Sequence, residues 1–118
     1  MINVNDEIYN IFHDNGINAV YMHPNSFSGM PVISYFCVSE KPGFCCDNSE
    51  LIQDFTVQTD IWAENHLECD VLSDRVGSIM SKNGYHHIIS EDIPENADGI
   101  YHKAMRFIKQ FILREENE

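Results

Sequence analysis

Six histidines and four cysteines in 118 residues are the side chains best able to hold a metal or act as nucleophiles. His86-His87, His102, Cys37 and Cys69 are the possible ligands, yet no Cys-x-x-Cys or His-x-x-x-His pair occurs, and adjacent Cys45-Cys46 suits one ion poorly. A Cys–His nucleophilic pair built on Cys45 or Cys46 has no local mark of an oxyanion site or of an orienting group. Cys37 and Cys69 fall at core-facing positions, where a free cysteine behaves as a small hydrophobe. The acid pairs Glu91-Asp92 and Glu115-Glu116 read as a solvated loop and tail. Gly77, Gly84 and Gly99 stand alone and form no phosphate-binding loop. The expectation is a protein with no catalytic residues, cofactor or metal.

The chemistry that remains is charge. Nineteen acidic side chains oppose seven basic ones, a formal net charge of -12, so a phosphate backbone is repelled and tight nucleic-acid binding is not expected. A passage lined by carboxylates would let a polyanion slide through without holding it. Four of the seven basic residues, Lys103, Arg106, Lys109 and Arg114, lie in or just beyond the stretch Asp98-Gly99-Ile100-Tyr101-His102-Lys103-Ala104-Met105-Arg106-Phe107. The candidate oligomer or partner interface is therefore His102, Lys103, Arg106 and Lys109, together with Lys41 and Phe44 from the 39–50 connection. Arginine is enriched at interfaces and lysine depleted, so the same charges read equally well as groups that keep a strand soluble or pair within the fold. Tyr101 and Phe107 are read as core.

The elements that must position these residues form one domain, 1–118, long enough for a single hydrophobic core. Ile8, Ile11 and Phe12 share one face of a helix over about 5–14, with Asn5 as its cap. A brief first strand is expected over 17–22, then a turn-rich loop, then a buried strand Pro31–Val38 with proline at its first position. The Ser39 to Glu50 connection reads as an extended contact loop. Asp54 to Trp62 alternates, Phe55, Val57 and Ile61 on one face and Thr56, Gln58 and Asp60 on the other, the clearest strand of the chain. Between Glu64 and Asn83, Cys69, Leu72, Val76, Ile79 and Met80 recur at helical spacing, and Asn83-Gly84 supplies a left-handed stop. Tyr85–Ser90 is a further strand and 91–99 an acidic turn region. Residues 100–113 fit strand and helix alike, and 114–118 read as a frayed tail. This order predicts an α+β fold, an antiparallel β-sheet with two helices packed on one face.

The first residues have neither the basic start nor the apolar run of a signal peptide, and no stretch approaches a membrane span, so no membrane partner is expected. Cytoplasm, or an assembly built there, is the expected location, and the cysteines are expected to be reduced.

Five features in order carry a family resemblance across most of the chain. They are the proline-led strand Pro31–Val38, the alternating strand ending in Asp60-Ile61-Trp62, the helix closing at Asn83-Gly84-Tyr85, the acidic loop, and Gly99-Ile100-Tyr101-His102-Lys103-Ala104-Met105-Arg106-Phe107. Together they resemble the small tail-completion, or tail-terminator and head-tail joining, proteins of long-tailed bacteriophages and prophages. The resemblance implies an α+β fold that assembles with itself into a ring, commonly a hexamer, at the head-proximal end of the tail tube. Such a ring ends tube growth, joins the tail to the head-tail connector protein and leaves a channel for DNA. It implies as partners the tail tube protein and the connector protein, as location the virion tail, and for the last segment a strand. Cys45-Cys46 and the apolar ending Phe111-Ile112-Leu113 depart from the family pattern. The alternative is a small acidic binding or inhibitor module that docks on a basic protein surface.

Overall fold

Hydrophobic periodicity and polar caps account for both helices of the computed structural model, which describes residues 3–42, 50–95 and 99–114. Helix α1 (Val4–Asp14) buries Val4, Ile8, Ile11 and Phe12, one stripe at spacings of three and four. Its cap is Asn3 rather than Asn5: the Asn3 side-chain oxygen accepts the Asp6 N–H at 3.1 Å, and Asn5 lies inside the first turn. Helix α2 (His66–Lys82) buries Cys69, Ser73, Val76, Ile79 and Met80. Asn65 caps it by accepting the Glu68 N–H at 2.8 Å, and the Glu68 carboxylate accepts the Glu64 N–H at 3.2 Å. At its far end Gly84 has φ +88, the left-handed conformation that the Asn-Gly stop predicts.

Five strands lie among the described residues: β1 (Ala19–Tyr21), β2 (Val32–Pro42), β3 (Glu50–Ala63), β4 (His86–Ile93) and β5 (Tyr101–Arg114), in sheet order β1-β2-β3-β5-β4. The fold is α+β, with α1 against β1 and β2 and α2 against β3, β5 and β4. The pairs β2–β3, β3–β5 and β4–β5 are antiparallel, whereas β1 runs parallel to β2, so the sheet is mixed. Residues 22–31 carry the chain back to begin β2 in the direction of β1, which a tight hairpin cannot do.

Three strands are longer than their sequence signals. β2 continues to Pro42 past a bulge between Cys37 and Ser39, β3 begins at Glu50, and β4 reaches Ile93 through residues expected as an acidic turn. Residues 39–42 and 50 of the 39–50 connection are thus strand, and the rest, Phe44, Cys45 and Cys46 among them, lies outside the described residues. The last segment, which periodicity left open, is a strand throughout Tyr101–Arg114. It is paired with β3 along its whole length, from Ala63↔Tyr101 to Glu50↔Arg114. Those backbone hydrogen bonds to a central position in the sheet outweigh its helical periodicity.

The register assigns the described side chains of β3 and β5 to faces. Phe55, Val57, Ile61, Met105 and Phe107 point toward the helices and form the core with Ile8, Phe12, Ile33, Val76, Met80 and Tyr85. The opposite face carries Ser34, Gln58, Asp60, Trp62, His102 and Arg106. Part of this helix-free face is covered by the 22–31 segment, whose His23 and Phe27 rings sit 5.1 and 5.0 Å from the Trp62 ring. Beneath it Ser34, Asp60 and Trp62 are buried.

The other end of the sheet projects. β1 pairs with β2 only as far as Tyr35, and β4 pairs with β5 only as far as Ile108, while β2, β3 and β5 run on together. A three-stranded blade results, with Lys41, Pro42, Gln110 and Ile112 exposed on it. The molecule measures 56 × 24 × 23 Å, and its 16.0 Å radius of gyration exceeds the ~13.5 Å of a compact chain this long.

Candidate functional site

The basic strand β5 does not present one basic face. Alternation sends Lys103 and Lys109 toward the helices and His102 and Arg106 to the helix-free face. Lys103 donates to Asp70 of α2 at 3.2 Å and lies 3.6 Å from Asp92 of β4. Burial works against its charge, but the Asp70 hydrogen bond and the two carboxylate charges outweigh it and raise its pKa. Lys109 donates to the Asn83 carbonyl at 2.9 Å and to Glu7 of α1 at 3.4 Å. Its ammonium also stands 4.9 Å from the Tyr85 ring centre and 4.6 Å from that of Phe111. The Tyr85 hydroxyl donates to the same Glu7 carboxylate at 2.6 Å, and burial, with that carboxylate beside it, pushes the phenol pKa up. These two lysines thus fasten the helices to the sheet.

The helix-free face holds a chain of polar contacts that the sequence reading did not assemble. The His102 imidazole donates through Nε2 to Asp60 at 2.7 Å and through Nδ1 to Glu95 at 2.9 Å. With a carboxylate at each nitrogen the ring is satisfied only as imidazolium. Burial disfavours that charge, yet the Asp60 and Glu95 hydrogen bonds and charges outweigh it, and the pKa rises above the ordinary histidine value. The ring stacks on Trp62, centroids 3.7 Å apart and planes 17° from parallel, and the indole N–H donates to Ser34 Oγ at 3.1 Å. Gln58 donates to Asp60 at 3.1 and 3.2 Å and accepts from Arg106 Nε at 2.9 Å. The row Glu95–His102–Asp60–Gln58–Arg106 ties the 94–100 connection and two strands together.

Of the other candidate residues, Lys41 is exposed on the blade, level with Asp54, and Phe44 lies outside the described residues. Phe107 is buried as expected, whereas Tyr101 is 46% exposed at the mouth of a depression. That depression, about 550 Å³, lies at the end of the sheet remote from the blade, among Cys69, Asp70, Asp92, Glu95, Tyr101 and His102. Its acids are largely matched by the Lys103 ammonium and the His102 imidazolium.

Cys69 is buried, and burial raises its thiol pKa. Burial does the same for half-buried Cys37, assisted by the Glu40 charge. Neither is a ready thiolate. Among the described residues no group of three or more His, Cys, Asp or Glu side chains is placed to hold a metal ion. No helix among them is long and apolar enough to cross a membrane.

The polar row had one visible sign in the sequence, Asp60 interrupting the otherwise uncharged run Phe55–Ala63 of β3. Its partner His102 is 42 positions away and reaches it only through the β3–β5 register, and Glu95 joins the row through His102. Comparison with known proteins finds no matching family model and no matching curated relative.

Proposed function

We infer that the chain is a non-enzymatic structural protein of a long-tailed phage or prophage. It forms a ring at the head-proximal end of the tail tube, ends tube growth and joins the tail to the head connector. The observation that carries this reading is the blade. Three strands continue beyond both helices, with flanks left open among the described residues and with Lys41 and Ile112 exposed, Ile112 at 59%. A lone small domain gains nothing from extending unpaired strand edges into water. A ring subunit does, because a heterologous contact requires a projection on one side and a different surface on the other. The strand form of the last segment, the Asn83-Gly84 stop and the proline-led β2 agree with the order of features on which the resemblance rests.

Charge supports the same reading. A net charge of -12 suits the wall of a passage through which DNA moves without adhering. The basic side chains that face the helices hold the subunit together, which leaves Arg106 and Lys41 as the contact residues of the set.

The experiment is co-assembly. The purified chain is mixed with tail tubes and with connector complexes, separately and together, and followed by light scattering after gel filtration and by negative-stain imaging. Rings capping one tube end, with tubes of fixed length, are the expected result. A chain that binds neither partner and leaves tube growth unaffected sinks the proposal. Salt-sensitive one-to-one binding to a basic protein, with no higher assembly, would instead favour the acidic docking module.

A further inference from the structure

β4 is the outermost strand on its side of the sheet, and all its residues but Ile93 are exposed. Among the described residues nothing pairs with its outer edge, and two large apolar side chains sit there, Ile88 at 53% and Ile89 at 44% exposure. Such an edge is a template for another strand. The other open edges are less suited. β1 spans three residues, the free run of β2 carries Lys41 and Pro42, devices that block edge pairing, and the free run of β5 beyond Ile108 begins with Lys109 and Gln110.

The residue order His86-His87-Ile88-Ile89-Ser90-Glu91-Asp92-Ile93 points to its occupant. Histidines come first and acids last, so two copies running antiparallel can bring His86 of each against Glu91 of the other. Faces restrict the register. The bulge between His87 and Ile89 puts His86, Ile89 and Glu91 on the helix-free side and His87, Ser90 and Asp92 on the helix side. An antiparallel pair that steps over Ile88 and is centred on Ile89 keeps every face matched. Ile89 then opposes Ile89, Ser90 opposes His87, and Glu91 opposes His86. Centring on Glu91 would set two carboxylates together, and centring on Ser90 would oppose Ile89 to Glu91.

We propose that β4 is a self-complementary edge through which two copies of this chain pair about a two-fold axis at Ile89, joining their sheets into one. The commonest closed symmetry needs only this one surface. The pairing leaves the blade free and does not rest on the tail reading, so either can fail without the other.

The test uses the full chain by itself. Sedimentation over a dilution series should show a monomer–dimer equilibrium, and Ile89→Lys, which sets two ammonium groups together on the axis, should shift it at least tenfold toward monomer. Circular dichroism should stay unchanged, as should thermal unfolding at dilutions where both chains are monomeric, since Ile89 is an exposed edge residue. Glu91→Lys should weaken the dimer, and adding His86→Glu should restore it. Residues opposed across an antiparallel pair lie about 4.5–5.5 Å apart at Cα, within disulfide reach. Mild oxidation of Ile89→Cys should therefore give a covalent dimer beyond any formed by the unsubstituted chain or by Ile112→Cys. A strict monomer with no added cross-linking through position 89 overturns the proposal. So does an oligomer that Ile89→Lys leaves intact.

Discussion

His102 and Asp60 meet at 2.7 Å on the helix-free face, where the imidazole side chain is 8% and the carboxylate 6% exposed. Glu95 takes the other ring nitrogen at 2.9 Å, so one imidazolium joins the 94–100 connection to β3. A raised folded-state pKa means that this contribution to stability is complete below the unfolded value of about 6.5. It is lost as pH rises through the folded value. The stability difference between the unsubstituted chain and His102→Gln, from urea midpoints, should therefore be largest near pH ~6 and shrink toward pH ~9. A difference that stays constant over this range would mean that the ring is not charged in the folded protein.

Lys109 reaches Glu7 of α1, the Asn83 carbonyl closing α2, and the rings of Tyr85 and Phe111. Lys109→Glu sets one carboxylate against another and leaves that carbonyl without its donor. It should lower monomer stability by roughly 1–3 kcal/mol, read from chemical denaturation. Arg106→Glu, on the open face, should cost less than about 1 kcal/mol. If both stabilities are unchanged, the helices are not fastened through β5.

Gly84 closes α2 at φ +88, and an added Cβ would lie 3.3 Å from Lys109 Cε. Gly84→Ala should destabilise by about 1–2 kcal/mol through the left-handed backbone alone, with a small addition from the displaced lysine. Gly29 has no atom within 4 Å of an added Cβ and no positive φ, so Gly29→Ala is the control, expected to shift the melting temperature little.

The blade gives the sharpest separation of folding from assembly. Lys41 and Ile112 are exposed, so Lys41→Glu and Ile112→Lys should change stability by less than about 0.5 kcal/mol. If the blade is a ring or tube contact, both should reduce capping of tail tubes in negative-stain images. Normal capping by both variants would remove the blade from the interface.

Much of the fold is legible locally. The stripe of Ile8, Ile11 and Phe12 marks α1, Cys69 to Met80 marks α2, Asn83-Gly84 its end, and the alternation of 54–62 the central strand, because each depends on side-chain periodicity and backbone chemistry within a few residues. Asn5 was a misleading cap because Asn3 satisfies the same rule two residues earlier, and only the backbone conformation distinguishes them. The extensions of β2, β3 and β4 were hidden because Glu40, Lys41, Gln53 and Asp92 have no intrinsic strand preference. Cross-strand neighbours hold them there.

The candidate site was legible as residue types but not as an arrangement. Sequence alone determined that the chain is acidic, that its basic residues concentrate near its end, and that one α+β domain carries them. Which lysines face the helices and which cation meets Asp60 depended on the alignment of β5 with β3, where a shift of one residue exchanges the faces. Tertiary structure therefore divided the basic strand, turning Lys103 and Lys109 inward to the helices and leaving His102 and Arg106 on the open sheet.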